Sequence, residues 1–161
     1  MATVKKMLYQ QLTDFLLGKL PTRYQANFYS WIEDGLLLNE GRQVTYNGIE
    51  LCHLSYNGIF HFEALPFNEI SPAYLMAHIQ IWLNEHDEIR DSLDEAEIPF
   101  ELEMIDDNTA DLVFTIPFRE PLTAVADEKG ELHIDGKAYR LDDIEIFTAT
   151  EFDVIPKFEA N

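Results

Sequence analysis

The stretch TYNGIELCHLSYNGIFHF, residues 45–62, decides how the sheet is read, because it holds nearly the same five residues twice, TYNGI at 45–49 and SYNGI at 55–59. Asn-Gly forms two-residue hairpin turns readily, since a type I′ turn needs positive φ at both central residues and Asn and Gly adopt it at least cost. Turns at Asn47-Gly48 and Asn57-Gly58 predict a β-meander with strands at 43–46, 49–56 and 59–65. At Asn57-Gly58 a second reading stands beside the first, in which the glycine sits in a bulge of one long strand. The motif does not recur elsewhere, which argues against a solenoid or propeller.

Upstream, Val4, Leu8, Leu12, Phe15 and Leu16 recur at helical spacing among polar residues and predict an amphipathic helix over 3–20, closed by Pro21. Residues 23–34, with Phe28, Trp31 and Ile32 ahead of Gly35, predict a short second helix with a glycine cap. Downstream, Ser71-Pro72 places an N-cap hydroxyl before a proline at the first helical position and opens the helix AYLMAHIQIWLNEH. Its core stripe is Leu75, Ile79, Trp82 and Leu83. In EHDEIRDSLDEAEIP, residues 85–99, acids surround only Ile89, Leu93 and Ile98, which reads as a solvated helix end and loop.

Period-two alternation follows. Phe100, Leu102 and Met104 alternate with Glu101 and Glu103, and Leu112, Phe114, Ile116 and Phe118 form a second alternating run. The turn residues DDNTA between them predict an antiparallel pair. Residues 122–126 and 131–134, joined by DEKG, predict another hairpin, and Asp135-Gly136 turns the chain into 137–141. The fold class is therefore α+β: an antiparallel or mixed sheet of about 5–8 strands, with an N-terminal helix pair and a central helix packed on it.

With 161 residues, 47% of them hydrophobic, the chain fills one core and is short for two. No run approaches the roughly 20 apolar residues of a membrane helix, and MATVKKMLYQQLTDF has polar residues where a signal peptide needs apolar ones. We therefore expect no membrane association and a protein made and kept in the cytoplasm. The single cysteine, Cys52, excludes an internal disulfide and a multi-cysteine metal site, and reads as a small buried hydrophobe. Charge is uneven: residues 1–84 carry 5 Lys and Arg against 7 Asp and Glu, whereas residues 85–161 carry 6 against 23. A field of that sign repels phosphate and disfavours nucleic-acid binding through a basic patch.

The candidate chemistry is thin. Eleven acids fall within 85–107, but glycoside hydrolysis needs two carboxyls in a pocket, one with a raised pKa, and these acids occur in runs or on an outward strand face. Around Asp106, Asp107, Asn108 and Asp111 the glycine and bidentate glutamate of a calcium loop are missing. His78 and His86 lie two helical turns apart, about 12 Å by the helix rise, too far for one metal ion. His53, His61 and His133 have no neighbouring ligand in sequence, and no nucleophile elbow, phosphate loop or dinucleotide fingerprint occurs. No metal, no cofactor and no catalytic residue is expected.

Taken in order, SPAYLMAHIQIWLNEHDEI, then IPFELEMIDDNTADLVFTIPFREPLTAV, then EKGELHI resembles the tail completion protein R family of P2-like contractile-tailed phages. The helix ending in Trp-Leu, the acidic link, the IDDNTAD hairpin, the Arg-Glu segment and the short strand pair carry the likeness, over roughly residues 4–135. WIEDGLL and the strand before Ser71 are similar as well. The resemblance implies a virion assembly protein that finishes the tail by binding the head-proximal end of the tube or sheath. Its partners would be tail tube, sheath and head-tail connector proteins. Its place would be the virion tail, after assembly in the host cytoplasm. The architecture also resembles phage tail terminators, which implies a homo-oligomeric, six-fold ring. DNA would pass nearby without specific binding. The rival reading is an acidic DNA mimic that occupies a DNA-binding protein.

This divides the chain into a tail completion domain, residues 1–141, and an acidic, apolar C-terminal arm or edge strand, residues 142–161. The arm carries seven large apolar residues, more than a freely disordered tail holds. Ile144, Ile146, Phe152 and Val154 fall on the even positions that one strand face presents, and are the candidate contacts to a second subunit or tail partner. The alternative is that the arm covers its own sheet.

Overall fold

The computed structural model describes residues 5–39, 48–87, 90, 97–142 and 144–145. In chain order the elements are β1 (Lys5–Lys6), α1 (Leu8–Leu17), a 3₁₀ turn (Gln25–Asn27), β2 (Phe28–Leu38), β3 (Gly48–Pro66) and α2 (Pro72–His86), followed by β4 (Phe100–Met104), β5 (Thr109–Ala126), β6 (Leu132–Ile134), β7 (Lys137–Leu141) and β8 (Ile144–Glu145). Six strands form one antiparallel sheet in the order β2-β3-β5-β7-β6, with β4 paired to β5. The α+β class stands.

The meander does not. Asn57-Gly58 lies inside β3, a single strand of 19 residues, and the bulge at this level belongs to β2. There Asp34 and Gly35 stand between the pairs Glu33↔Asn57 and Leu36↔Ser55, where β3 has only Tyr56. Asp34 takes a positive φ of 56°, and its carboxylate accepts from Asn57 Nδ2 at 3.3 Å. The second copy of the motif thus anchors a bulge across the sheet instead of turning the chain. Gly58 has a separate reason to be glycine: a Cβ there would stand 3.0 Å from ring carbons of Phe60 and Phe118 and 3.2 Å from Tyr9 Cβ. Its bare backbone lets α1 lie close on the sheet. Asn47 and the expected strand at 43–46 lie outside the described residues.

The predicted second helix is replaced by β2. In its register Phe28, Ser30 and Ile32 oppose Phe62, Phe60 and Gly58, while Tyr29 and Trp31 point to the other face. Apolar residues on both faces erase the period-two signal, and Phe28, Trp31 and Ile32 happen to match helical spacing. The helix expected at 3–20 is shorter in the structure, Leu8–Leu17, and buries Tyr9, Leu12 and Leu16. Helix α2 behaves as its start signal requires. Ser71 Oγ accepts from the Tyr74 N–H at 3.3 Å, and Leu75, Ile79, Trp82 and Leu83 are the buried stripe.

The core is one cluster on one face of the sheet. Tyr56, Phe60 and Phe62 of β3 and Leu112, Phe114, Ile116 and Phe118 of β5 meet the buried stripes of α1 and α2. Aromatic contacts tie the layer, with Phe28 stacked on Phe62 at 4.6 Å and Phe62 edge-on to Phe114 at 6.0 Å.

β5 continues unbroken to Ala126 in spite of two prolines. The N–H and C=O of a strand residue point to the same side, and the Pro117 carbonyl accepts from Arg90 instead of a strand. The missing N–H of Pro117 therefore falls where no ladder bond is lost. The hairpin expected between 122–126 and 131–134 is also corrected, because β7 lies between those segments and pairs Ala126↔Tyr139 and Leu132↔Tyr139. The Asp135-Gly136 turn is present, with φ of 51° and 83° at its two central residues, between the paired Ile134 and Lys137.

Candidate functional site

The strongest local chemistry is structural. Glu120 occupies an even position of β5 and, only 7% exposed as a residue, lies on the core face among residues that are otherwise apolar. It accepts from the Leu8 N–H at 3.0 Å and from the Tyr56 hydroxyl, and that hydroxyl in turn accepts from the Tyr9 N–H at 3.3 Å. Leu8 and Tyr9 open α1, where backbone donors have no intrahelical partner. A carboxylate brought from β5 thus caps α1 and complements the positive end of its dipole. Burial, and next the Glu120 charge, push the Tyr56 hydroxyl well above the ordinary tyrosine range, so it stays a donor.

A second buried pair lies past the end of α2. Arg90 Nε donates to Asp87 Oδ2 at 2.9 Å, its Nη2 to the Pro117 carbonyl, and its guanidinium lies over the Phe118 ring at 5.3 Å. Asp87 and Arg90 are 5% and 8% exposed, so this part of the acidic link is not the solvated loop that 85–99 was read as. Neither Glu120 nor Arg90 was singled out in the sequence. The signal was present for Glu120: continuing the alternation of 112, 114, 116 and 118 puts residue 120 on the core face, where an acid must find donors. For Arg90, one cation within a run of acids was the only hint.

The acids weighed for catalysis sit on open surface. Glu101 and Glu103 are exposed on β4, on the face away from the helices. Asp106 accepts from the Asn108 and Thr109 N–H groups at 2.8 and 2.7 Å and from the Thr109 hydroxyl. Those bonds hold its carboxyl below the usual aspartate range and spend it on the turn. Asp111 accepts from the Ala64 N–H at 2.8 Å, steadying a bulge in β3 where Ala64 has φ of 48°. His78 packs against Tyr74 and Phe15, and His86 stacks on Trp82 at 4.6 Å. Among the described residues no group of three or more His, Cys, Asp or Glu is placed to hold a metal.

What remains is surface. Phe100, Leu102 and Met104 of β4 oppose Phe114, Leu112 and Ala110 and so share the helix-side face, yet they are 51%, 46% and 58% exposed, and Ile105 after the strand is exposed as well. At the opposite rim Leu36 and Leu37 of β2 are exposed beyond the Asp34-Gly35 bulge. On the face away from the helices Tyr29, Trp31 and His61 group their rings about 6 Å apart. No described helix is long and apolar enough to cross a membrane. Of the four arm residues, Ile144 pairs through its backbone with Lys5 of the same chain, while Ile146, Phe152 and Val154 lie outside the described residues.

The described surface thus carries an apolar strand row at one rim of the sheet and a second apolar strip at the other. The chain is 77% identical over 159 residues to a protein of Haemophilus phage HP1 described as an "Uncharacterized 19.2 kDa protein in rep-hol intergenic region", covering 99% of this chain and 96% of that one. No solved structure matches it. The family model for P2 phage tail completion protein R (GpR) matches residues 6–143, nearly all of the described fold, and the chain belongs to that family.

Proposed function

We propose that the chain completes the phage tail at its head-proximal end as a homo-oligomeric ring seated on the tail tube. Membership of a tail completion family carries the tail role and the virion location. The observation that favours a ring is the pair of unlike apolar rims. A ring is closed by heterologous contacts, each joining two different patches, and β2 and β4 present Leu36-Leu37 and Phe100-Leu102-Met104 at opposite sides of one sheet. Edge strands exposing such rows accept a further strand, and the outward carboxylates Glu101 and Glu103 keep the subunit soluble until one arrives. The same carboxylates favour passage of DNA without retention, since a phosphate meets no cation there.

The test is Leu102→Glu in the full chain, followed by light scattering across a concentration series and by complementation of a phage lacking the protein. The expected result is a normal melting transition together with loss of the oligomer and of finished tails. A variant that still assembles and completes tails sinks the role of the β4 rim. A wild-type chain that stays monomeric even on purified tails sinks the ring.

A further inference from the structure

Where β2 bends at Asp34-Gly35, its end and β3 enclose an apolar groove of 280 Å³ against the start of α1. Met7, Ile32, Leu36, Leu37, Leu54 and Tyr56 line it. It is smaller than pockets built for a drug-sized ligand, which begin at about 300 Å³. Leu36 and Leu37 at its rim are 61% and 73% exposed, which is a cost unless something apolar covers them.

The backbone beside the groove indicates what does. β1 and β8 pair in parallel, with Lys5 opposite Ile144 and Lys6 opposite Glu145. A ladder continued by one step would set residue 146 opposite Met7, and paired residues of a parallel ladder project to the same face of the sheet. Met7 is buried and lines the groove, so a ladder continued in this register would bring an isoleucine to the groove mouth. Sixteen residues follow Glu145, among them Ile146, Phe147, Phe152, Val154, Ile155 and Phe158, more large apolar side chains than a solvated tail carries.

We propose that this groove is the seat of the chain's own C-terminal segment, with Ile146 entering beside Met7 and the following residues covering Leu36 and Leu37. Of the two roles open to the arm, lining a neighbour or covering its own sheet, this assigns the second to its first residues. A second copy's arm would have to displace a ladder already running to the site. In the proposed ring a neighbouring subunit then meets this rim through the segment seated over Leu36 and Leu37, and the two readings fail separately, the seat by its cross-link and the ring by light scattering.

The full chain carrying Cys52→Ser, Met7→Cys and Ile146→Cys tests it. Adjacent strands lie about 4.8 Å apart, within the Cα separation that a disulfide spans. Oxidation at low micromolar concentration is expected to give a disulfide inside one chain, read by intact mass and by denaturing gel. Lys6→Cys with Glu145→Cys in the same background is the control at the observed register. Disulfide-linked dimers, or free thiols at 7 and 146 while the control closes, overturn the proposal. Hydrogen exchange of the unaltered chain decides independently of any folding defect. Slowed exchange at residues 146–150, unchanged on dilution, is expected. Exchange at the unprotected rate, or protection that vanishes on dilution, overturns it.

Discussion

Leu102 and Leu112 are the same residue in the same alternation, paired across two adjacent strands and facing the same way, yet Leu112 is fully buried and Leu102 is 46% exposed. Phe114 and Phe100 repeat the contrast two pairs along, with their ring centroids 6.1 Å apart. Period two fixes which face a side chain takes and leaves open whether anything lies over that face. On β5 the helices lie over it. On β4 the helix layer has ended, and the apolar row stands exposed at the rim.

Substitutions on the two strands should separate these roles, and the largest effect belongs to the covered one. Phe114→Ala should cost about 3–5 kcal/mol, read in denaturant melts, because it opens a cavity among Phe60, Phe62 and the helices. Phe100→Ala, by contrast, should stay within about 0.5 kcal/mol and weaken only assembly. Equal losses at the two positions would mean that the rim is core. The acids provide a parallel test. Glu120→Ala strands the Leu8 N–H and the Tyr56 hydroxyl in a buried setting, at about 1–3 kcal/mol for each group left unpaired. Glu103→Ala, on the exposed strand, should leave the melting temperature in place.

Alkaline pH probes the same buried site without mutation. The Tyr56 hydroxyl is raised above its unfolded value near pH 10, so the folded state favours its protonated form. That contribution is complete below pH 10 and is lost as pH rises beyond it. The melting temperature should therefore fall above pH 10, and Tyr56→Phe should flatten that fall. A slope unchanged in the variant would assign the alkaline loss to other groups. The smallest effect is expected at Asp106→Asn, where the turn keeps an acceptor for the Asn108 and Thr109 N–H groups and the melting temperature should hardly move.

The sequence by itself determined every feature written in the period of a single element. The start of α2 at Ser71-Pro72 and its stripe of Leu75, Ile79, Trp82 and Leu83 are local, because a cap and a 3.6-residue repeat need no partner to be read. The same holds for the β4–β5 hairpin and for the turn at Asp135-Gly136. Order along the chain also carried the likeness to the tail completion family. Tertiary structure decided what depends on a neighbour. Residues 28–38 are a strand because β3 pairs with them, and Asn57-Gly58 runs on within β3, the extra residue at that level standing across the ladder at Asp34-Gly35. β7 separates β5 from β6 because an antiparallel partner is chosen by pairing and not by proximity in sequence. Glu120 and Arg90 are buried because a helix end and a proline carbonyl, remote in the chain, offer the partners that make burial affordable. The surfaces proposed to bind other molecules belong to this second class, since exposure is set by where the covering layer stops.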